Sequence, residues 1–373
     1  MRYYLIAGEA SGDLHGSNLI CELRKLDKKA EIRCWGGDMM QQAGADVVKH
    51  YRELAFMGFK EVLVNIRTIF RNMAFCKQDI LAYKPDALVL IDYPGFNIRM
   101  AEFAHKHGIK VVYYISPQVW AWKARRVKKL KLCVDKMLCI LPFEVDFYKK
   151  WNYEVCYVGH PLLDAIDTFE KQPDFRTSYG LDERPIIALL PGSRKQELAK
   201  MLPTMLGLKA DYPNYQFVIA GAPGLTAKDY DLHPDNHRES KSPNHQIVFS
   251  QTYQLLAHSH AALVTSGTAT LETALFLVPQ VVCYRGSQLS YQIGKRLVNI
   301  KYISLVNLIL DKPVVTELIQ NDFTSEKLKT EFNKILAGVN RETMQVEYET
   351  LITLLGKKGA SAKAAMEVVG ILR

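Results

Sequence analysis

Short apolar runs alternate with helix-length segments along almost the whole of this chain. In the first half the runs fall at residues 3–7, 32–35, 87–91, 111–115, 137–140 and 155–158. In the second half they fall at 186–190, 216–220, 247–249, 262–264 and 280–283. Such alternation predicts βα units and parallel sheets. Gly159-His160-Pro161-Leu162 closes the first series, and a polar stretch around Lys171-Gln172-Pro173 precedes the second. At roughly 100–200 residues per domain, 373 residues make two domains. The expected fold is α/β: two Rossmann-like, doubly wound domains with a helical tail after Phe323. The expected extents are 1–168, joined by a C-terminal helix at 358–373, and 169–357. Residues 223–245 read as a long polar surface loop.

Composition excludes several classes. Hydrophobic residues at 48% and charged residues at 23% fit a globular protein rather than a disordered or collagen-like one. Seven cysteines without a Cys-x-x-Cys pair read as reduced thiols of a cytosolic protein. The N-terminus meets Glu9 and Asp13 too soon for a signal peptide, and no run of about 20 apolar residues would span a bilayer. The net charge of +9 asks for an anionic partner: nucleic acid, a phosphorylated substrate or a membrane surface.

In doubly wound folds ligands bind beyond the C-terminal ends of the strands. Four strand ends carry chemistry. Gly8-Glu9-Ala10-Ser11-Gly12-Asp13-Leu14-His15-Gly16 follows the first strand as a glycine-rich entry to a helix, without the dinucleotide pattern. Asp92-Tyr93-Pro94-Gly95-Phe96-Asn97 places a carboxylate at a strand end, as a general base or as a helix N-cap. Gly192-Ser193-Arg194-Lys195 sets two cations at a helix start, an unfavourable place unless an anion sits there. Ser266-Gly267-Thr268-Ala269-Thr270-Leu271-Glu272 offers hydroxyls to a diphosphate and a carboxylate to a ribose, or else a capping box on Thr268. Together the last two favour a nucleotide diphosphate.

The segment 120–133 holds six basic residues and no acid: Lys123, Arg125, Arg126, Lys128, Lys129 and Lys131, next to Trp120 and Trp122. Basic residues beside tryptophans suit a lipid headgroup boundary. Phe56, Met57 and Phe59, before an apolar helical stripe, could form a lip for an acyl chain. No nucleic-acid module surrounds the basic helix, so nucleic acid is not the expected partner. Asp229-Tyr230-Asp231 lies in the polar loop rather than at a strand end and is discounted as a metal site.

Taken in order, these segments resemble the lipid-A-disaccharide synthase family, glycosyltransferase family 19. Further matching pieces are Gly36-Gly37-Asp38-Met39-Met40, Ser116-Pro117-Gln118-Val119-Trp120-Ala121-Trp122, Leu141-Pro142-Phe143-Glu144 and Ser304-Leu305-Val306-Asn307-Leu308. The family more often carries proline where Val306 stands. The resemblance implies the GT-B fold, no metal and no cofactor. It implies inverting transfer of 2,3-diacylglucosamine from its UDP carrier to the 6-hydroxyl of 2,3-diacylglucosamine 1-phosphate. Asp92 is the expected base, with Asp13 or His15 in reserve and Glu9 and Ser11 beside them on the acceptor side. Gly192, Ser193, Arg194, Ser266, Gly267, Thr268 and Thr270 are expected at the diphosphate, Glu272 at the ribose, and Arg285 and Asn307 around the donor. Both substrates carry acyl chains, so peripheral binding to the cytoplasmic face of the inner membrane is expected. A homo-oligomer is left open. The competing expectations are another UDP-GlcNAc enzyme of the same fold, such as the peptidoglycan transferase MurG or a 2-epimerase, and a non-catalytic nucleotide- or membrane-binding module.

Overall fold

The alternation resolves into two open, all-parallel sheets, one in each of two units. The structure, a computed structural model, describes residues 1–54, 66–231, 246–287, 291–292 and 300–373. The first unit comprises Met1–Ala165 and Leu355–Arg373, the second Ile166–Leu354.

The first unit's strands are β1 (Arg2–Ala7), β2 (Glu31–Gly36), β3 (Asp46–His50), β4 (Ala87–Ile91), β5 (Lys110–Tyr114), β6 (Lys136–Cys139) and β7 (Cys156–Tyr157). They lie in the order β3-β2-β1-β4-β5-β6-β7. Between them run α1 (Ala10–Leu26), α2 (Asp38–Gln42), α3 (Ile66–Tyr83), α4 (Pro94–Lys106), α5 (Val127–Cys133) and α6 (Pro142–Lys149), with α7 (Pro161–Asp167) after β7. Both faces of the sheet are covered, which is why its strands read as continuous apolar runs. Tyr4, Ile6, Leu88 and Leu90 pack to one side with Trp35 and Met100. Tyr3, Leu5, Val89 and Ile91 pack to the other with Leu19, Ile20 and Leu23 of α1.

The second unit holds β8 (Ile186–Leu190), β9 (Gln216–Gly221), β10 (Gln246–Phe249), β11 (Ser259–Thr265), β12 (Gln280–Tyr284) and β13 (Thr316–Ile319). Their order is β10-β9-β8-β11-β12-β13. Its helices are α8 (Phe175–Ser178), α9 (Lys195–Leu206), α10 (Thr252–Ala257), α11 (Thr268–Leu275), α12 (Leu305–Leu310), α13 (Ser325–Leu336) and α14 (Val339–Leu355). Each sheet reverses its winding once, between β1 and β4 and between β8 and β11. Those are the topological switch points, where loops diverge and leave a crevice at the strand ends.

Two strands were not expected from the apolar runs: β3 and β13. Both are sheet edges. Asp46, Lys49 and His50 in β3, and Thr316 and Glu317 in β13, keep partial solvent access and break the apolar pattern.

The chain ends in α15 (Ala360–Gly370), which packs Ala364, Ala365, Val368 and Val369 into the first unit's core. Asp164 closes the joint. Its two carboxylate oxygens accept the Gly359 N–H at 2.5 Å and the Ser361 N–H at 2.9 Å, capping α15 from another helix. Orphan amides at a helix start are worth about 0.5–2 kcal/mol when capped. Asp164→Ala is therefore expected to lower unfolding free energy by about 1–2 kcal/mol in urea titration. Amide exchange should accelerate first in residues 359–370.

Candidate active site

Ala7 pairs with Ile91, so the segments leaving β1 and β4 start side by side at the first switch point. Gly8 is required there by close approach: a Cβ at this position would stand 2.4 Å from the ring of Tyr93. That ring belongs to an unusual turn. Asp92 and Tyr93 are both left-handed, with φ of 44° and 47°. Tyr93, not Asp92, takes the N-cap place of α4, so the capping role open to Asp92 is not the one it fills. The Asp92 carboxyl is pushed up to about 7, first by burial and then by the negative charge of Glu9. It retains partial solvent access.

The other acceptor-side candidates differ in kind. Asp13 is buried, and its carboxylate accepts N–H groups from Gly37 at 2.7 Å, Met40 at 3.0 Å and Met39 at 3.1 Å. It caps α2. His15 is buried beside His160, and burial lowers it to about 4, so it stays neutral. Its Nδ1 has no hydrogen-bond partner among the described residues. Ser11 is exposed and Glu9 half-exposed at the start of α1.

In the second unit Val264 pairs with Leu190, so the loops after β8 and β11 adjoin at the second switch point. Gly192 (φ +108°) and Gly267 (φ +154°) make the turns that only glycine makes without strain. Ser193, Arg194, Gly267 and Thr268 are exposed. The cations at the start of α9 have partners from the chain itself. Glu197 accepts the Ser193 N–H at 3.1 Å and pairs with Arg194 at 3.0 Å. Lys195 pairs with Asp229 at 2.6 Å, which, with the bond from Thr226, spends the carboxylate of the discounted Asp-x-Asp. Gly267 holds the N-cap place of α11, rather than Thr268.

Ser266 donates to the Ile303 carbonyl at 2.8 Å and Thr270 to that of Gly267 at 2.8 Å. Glu272 is raised by burial and accepts the Tyr253 hydroxyl at 3.2 Å. The Arg285 guanidinium donates to the Phe323 carbonyl and lies 4.9 Å over its ring. Asn307 is buried, and its amide donates to Val315 at 2.8 Å and Glu317 at 3.0 Å. Both amide hydrogens are thus spent inside the protein, and Asn307 shapes its loop instead of pointing at a ligand. Val306 is buried.

The two tryptophans of the basic segment part ways. Trp122 is exposed, with Lys123 Nζ 4.2 Å and Arg126 5.4 Å from its ring. Trp120 turns inward, donating its indole N–H to Glu144 at 3.2 Å. Buried Glu144 also accepts the Ile140 and Leu141 N–H groups, and desolvation raises it to about 7 against those donors. Val127, Leu130 and Cys133 bury one side of α5, while Arg125, Lys128, Lys129, Lys131 and Leu132 are exposed. Lys129 pairs with Glu102, and Lys131 donates to the Asn152 carbonyl. Phe56, Met57 and Phe59 lie outside the described residues. Among the described residues no helix is long and apolar enough to cross a membrane.

Two such parallel-sheet units with a helical tail are the GT-B architecture of glycosyltransferases and nucleotide-sugar epimerases. The glycotransferase of kitacinnamycin matches with a TM-score of 0.65 at 12% identity, covering 100% of this chain and 98% of that one. The UDP-GlcNAc 2-epimerase of Neisseria meningitidis matches at 0.63 and 13%, covering 100% and 99%. Sequence narrows the class. The family described as lipid-A-disaccharide synthetase matches residues 3–369. The lipid-A-disaccharide synthase of Geobacter metallireducens is 39% identical over 377 residues, spanning 100% of this chain and 97% of the relative. That of Coxiella burnetii is 39% identical over 341 residues, spanning 90% and 89%. The chain belongs to the lipid-A-disaccharide synthetase family.

Several supporting residues carried no sequence signal: Tyr113 beneath Asp92, Tyr253 beside Glu272, Glu317 behind Asn307. Each acts through its side chain on a partner distant in sequence. Glu144 stood in a matching motif, but its tie to Trp120 shows only in three dimensions. Glu144→Ala is expected to cost about 1–3 kcal/mol, because three donors lose their acceptor. Tryptophan emission should shift to the red, and the shift should vanish in a Trp120→Phe background.

Proposed function

We propose that this member of the lipid-A-disaccharide synthetase family transfers 2,3-diacylglucosamine from UDP-2,3-diacylglucosamine to the 6-hydroxyl of 2,3-diacylglucosamine 1-phosphate. The acceptor oxygen forms the new bond to C1 of the donor sugar with inversion. The bond from C1 to the diphosphate breaks, and its electrons leave with UDP. The hydroxyl proton passes to the Asp92 carboxylate. An alcohol is far too weak an acid to ionise beforehand, so the base acts within the transition state. The observation that carries this assignment is the seat of Asp92: at a switch point, crowded enough to be raised to about 7, and still open to solvent. Asp13 has its oxygens committed to three amides, and neutral His15 is enclosed, which leaves them the poorer bases.

The donor role falls to the second unit. The Gly267 and Thr268 backbone, with the Ser193 hydroxyl and Arg194, all on exposed residues, is suited to stabilise the charge that builds on the leaving diphosphate. Glu272 is suited to two ribose hydroxyls, held by Tyr253. Ser266 and Thr270 tie the segment after β11 to Ile303 and Leu305, while Arg285 and Asn307 hold the segments around Phe323 and Val315.

Membrane contact is proposed through Trp122, Leu132 and the basic residues around them. Trp120 serves instead as the anchor of the loop. What supports this surface is the exposure of two large apolar side chains beside Lys123, Arg125, Arg126 and Lys128. The proposed location is the cytoplasmic face of the inner membrane.

Purified protein mixed with both acylated substrates should yield disaccharide 1-phosphate and UDP by mass spectrometry, and Asp92→Asn should slow this by about 100-fold or more. Wild-type turnover in that variant would reject the base. The active form is the carboxylate, so kcat/KM should climb as pH rises through about 7. Glu9→Gln removes a like charge and should move that limb to lower pH. Each basic residue near an anionic surface is worth about 1 kcal/mol, so Arg125→Glu with Lys128→Glu should weaken sedimentation with anionic vesicles by at least about 30-fold. Unchanged sedimentation would reject the surface.

A further inference from the structure

The turn at Asp92 is held in a conformation it would not choose. A left-handed residue other than glycine costs roughly 1–2 kcal/mol, and here an aspartate and a tyrosine adopt it in succession. Such strain persists only where the surroundings over-determine it. The surroundings converge on one atom, the Asp92 carbonyl oxygen. The Tyr113 hydroxyl donates to it at 2.7 Å from β5, and the Asn97 side-chain amide donates to it at 2.8 Å from α4. On the other side of the residue, the Asp92 N–H reaches the Tyr114 carbonyl at 3.2 Å.

Asn97 has no solvent exposure. Its Nδ2 also lies 3.2 Å from the Ile91 carbonyl and 3.3 Å from that of Ile6. Two amide hydrogens are thus shared among three carbonyls, at the ends of the two strands that flank the switch point. The orientation is unambiguous, since the flipped amide would aim its oxygen at all three. The arrangement leaves Oδ1 buried with no partner among the described residues, a cost of about 1–3 kcal/mol that an apolar side chain would not incur. The ring of Tyr93, stacked on Phe96 at 5.6 Å and seated against Gly8, completes the clamp. With backbone N–H, carbonyl and following ring all fixed, the Asp92 carboxyl can reach only a narrow range of positions.

We propose that Asn97 and Tyr113 are positioning residues for the transfer reaction, gripping the Asp92 carbonyl so that its carboxyl stays aimed at the acceptor hydroxyl. This rests on Asp92 being the base. Proton transfer tolerates little misplacement: the base must sit within about 2.6–3.2 Å of the proton's oxygen. Loosening the grip should therefore act on the chemical step more than on substrate binding.

Tyr113→Phe keeps the buried ring and removes only the hydroxyl. It is expected to lower kcat about 5- to 10-fold with KM within about twofold. The ascending pH limb should move below about 7 as the freed carboxyl gains water. The melting temperature should change by only a few degrees. Asn97→Ser, which shortens the donor, should give the same split between kcat and KM and serves should Tyr113→Phe fold poorly. In an Asp92→Asn background Tyr113→Phe should make no further difference, because there is no base left to aim. Unchanged kcat and pH limb in both variants, or a loss that adds in full to that of Asp92→Asn, would overturn the proposal and leave a merely structural joint. Wild-type turnover in Asp92→Asn alone would instead overturn the base assignment, a separate failure visible in a single variant.

Discussion

A strand buried on both faces has no side chain left for solvent or substrate. That constraint governs each unit. β1, β4, β8 and β11 are central, and the side chains of β1 and β4 are divided between two apolar layers. Chemistry is displaced to the residues that follow the strands, and parallel pairing puts all those segments on one edge of the sheet. The winding then reverses next to β1 and next to β8. Gly8, Asp92, Gly192 and Gly267 stand where they do because no other position of such a sheet is both rigid and open.

Burial also sorts the carboxylates. Asp13 accepts three backbone N–H groups, Asp164 caps a helix, and Glu317 accepts the N–H groups of Ile303 and Ser304. These groups hold loops at their proper angles. Glu144 is raised to about 7 yet has two backbone amides and an indole to satisfy it, and almost no solvent access, so it too is a strut. Asp92 differs on both counts. It is raised because it is crowded and faces Glu9, and it keeps a path to water. A perturbed carboxyl is a functional candidate when it is both under-bonded and accessible. Perturbation alone would have chosen Glu144 equally.

The central strands were legible in the sequence because double burial writes an unbroken apolar run. The edge strands β3 and β13 were not, because one open side admits Asp46, Lys49, Thr316 and Glu317. The candidate residues were legible as types at strand ends, since glycine, hydroxyl and carboxylate in those places have few other uses. Their division of labour was not. Asn307 and Trp120 looked outward in the sequence and are turned inward by Glu317 and Glu144, partners ten and twenty-four residues away. The cations after Gly192 suggested an absent anion, and the chain supplies Glu197 and Asp229 itself. Local electrostatic conflict is a sound signal for an anion, but a side chain folded back from the same helix answers it as well as a ligand does.

Charge on the basic segment follows the same logic in reverse. Six cations without an acid in 14 positions look like a uniform surface. In space Lys129 is paired with Glu102 and Lys131 is tied to the Asn152 carbonyl. Two others, Lys123 and Arg126, lie against the Trp122 ring. Cation–π packing of this sort restrains an indole that stays at the surface. Leu132, 74% exposed, stands in the same segment. A nucleic-acid groove needs cations directed at phosphates and has no use for a bare leucine. A headgroup boundary uses all three: cations for the phosphates, an indole for the interface and an aliphatic side chain for the layer below. The apolar exposure, more than the charge, is what supports the proposed membrane contact at this face.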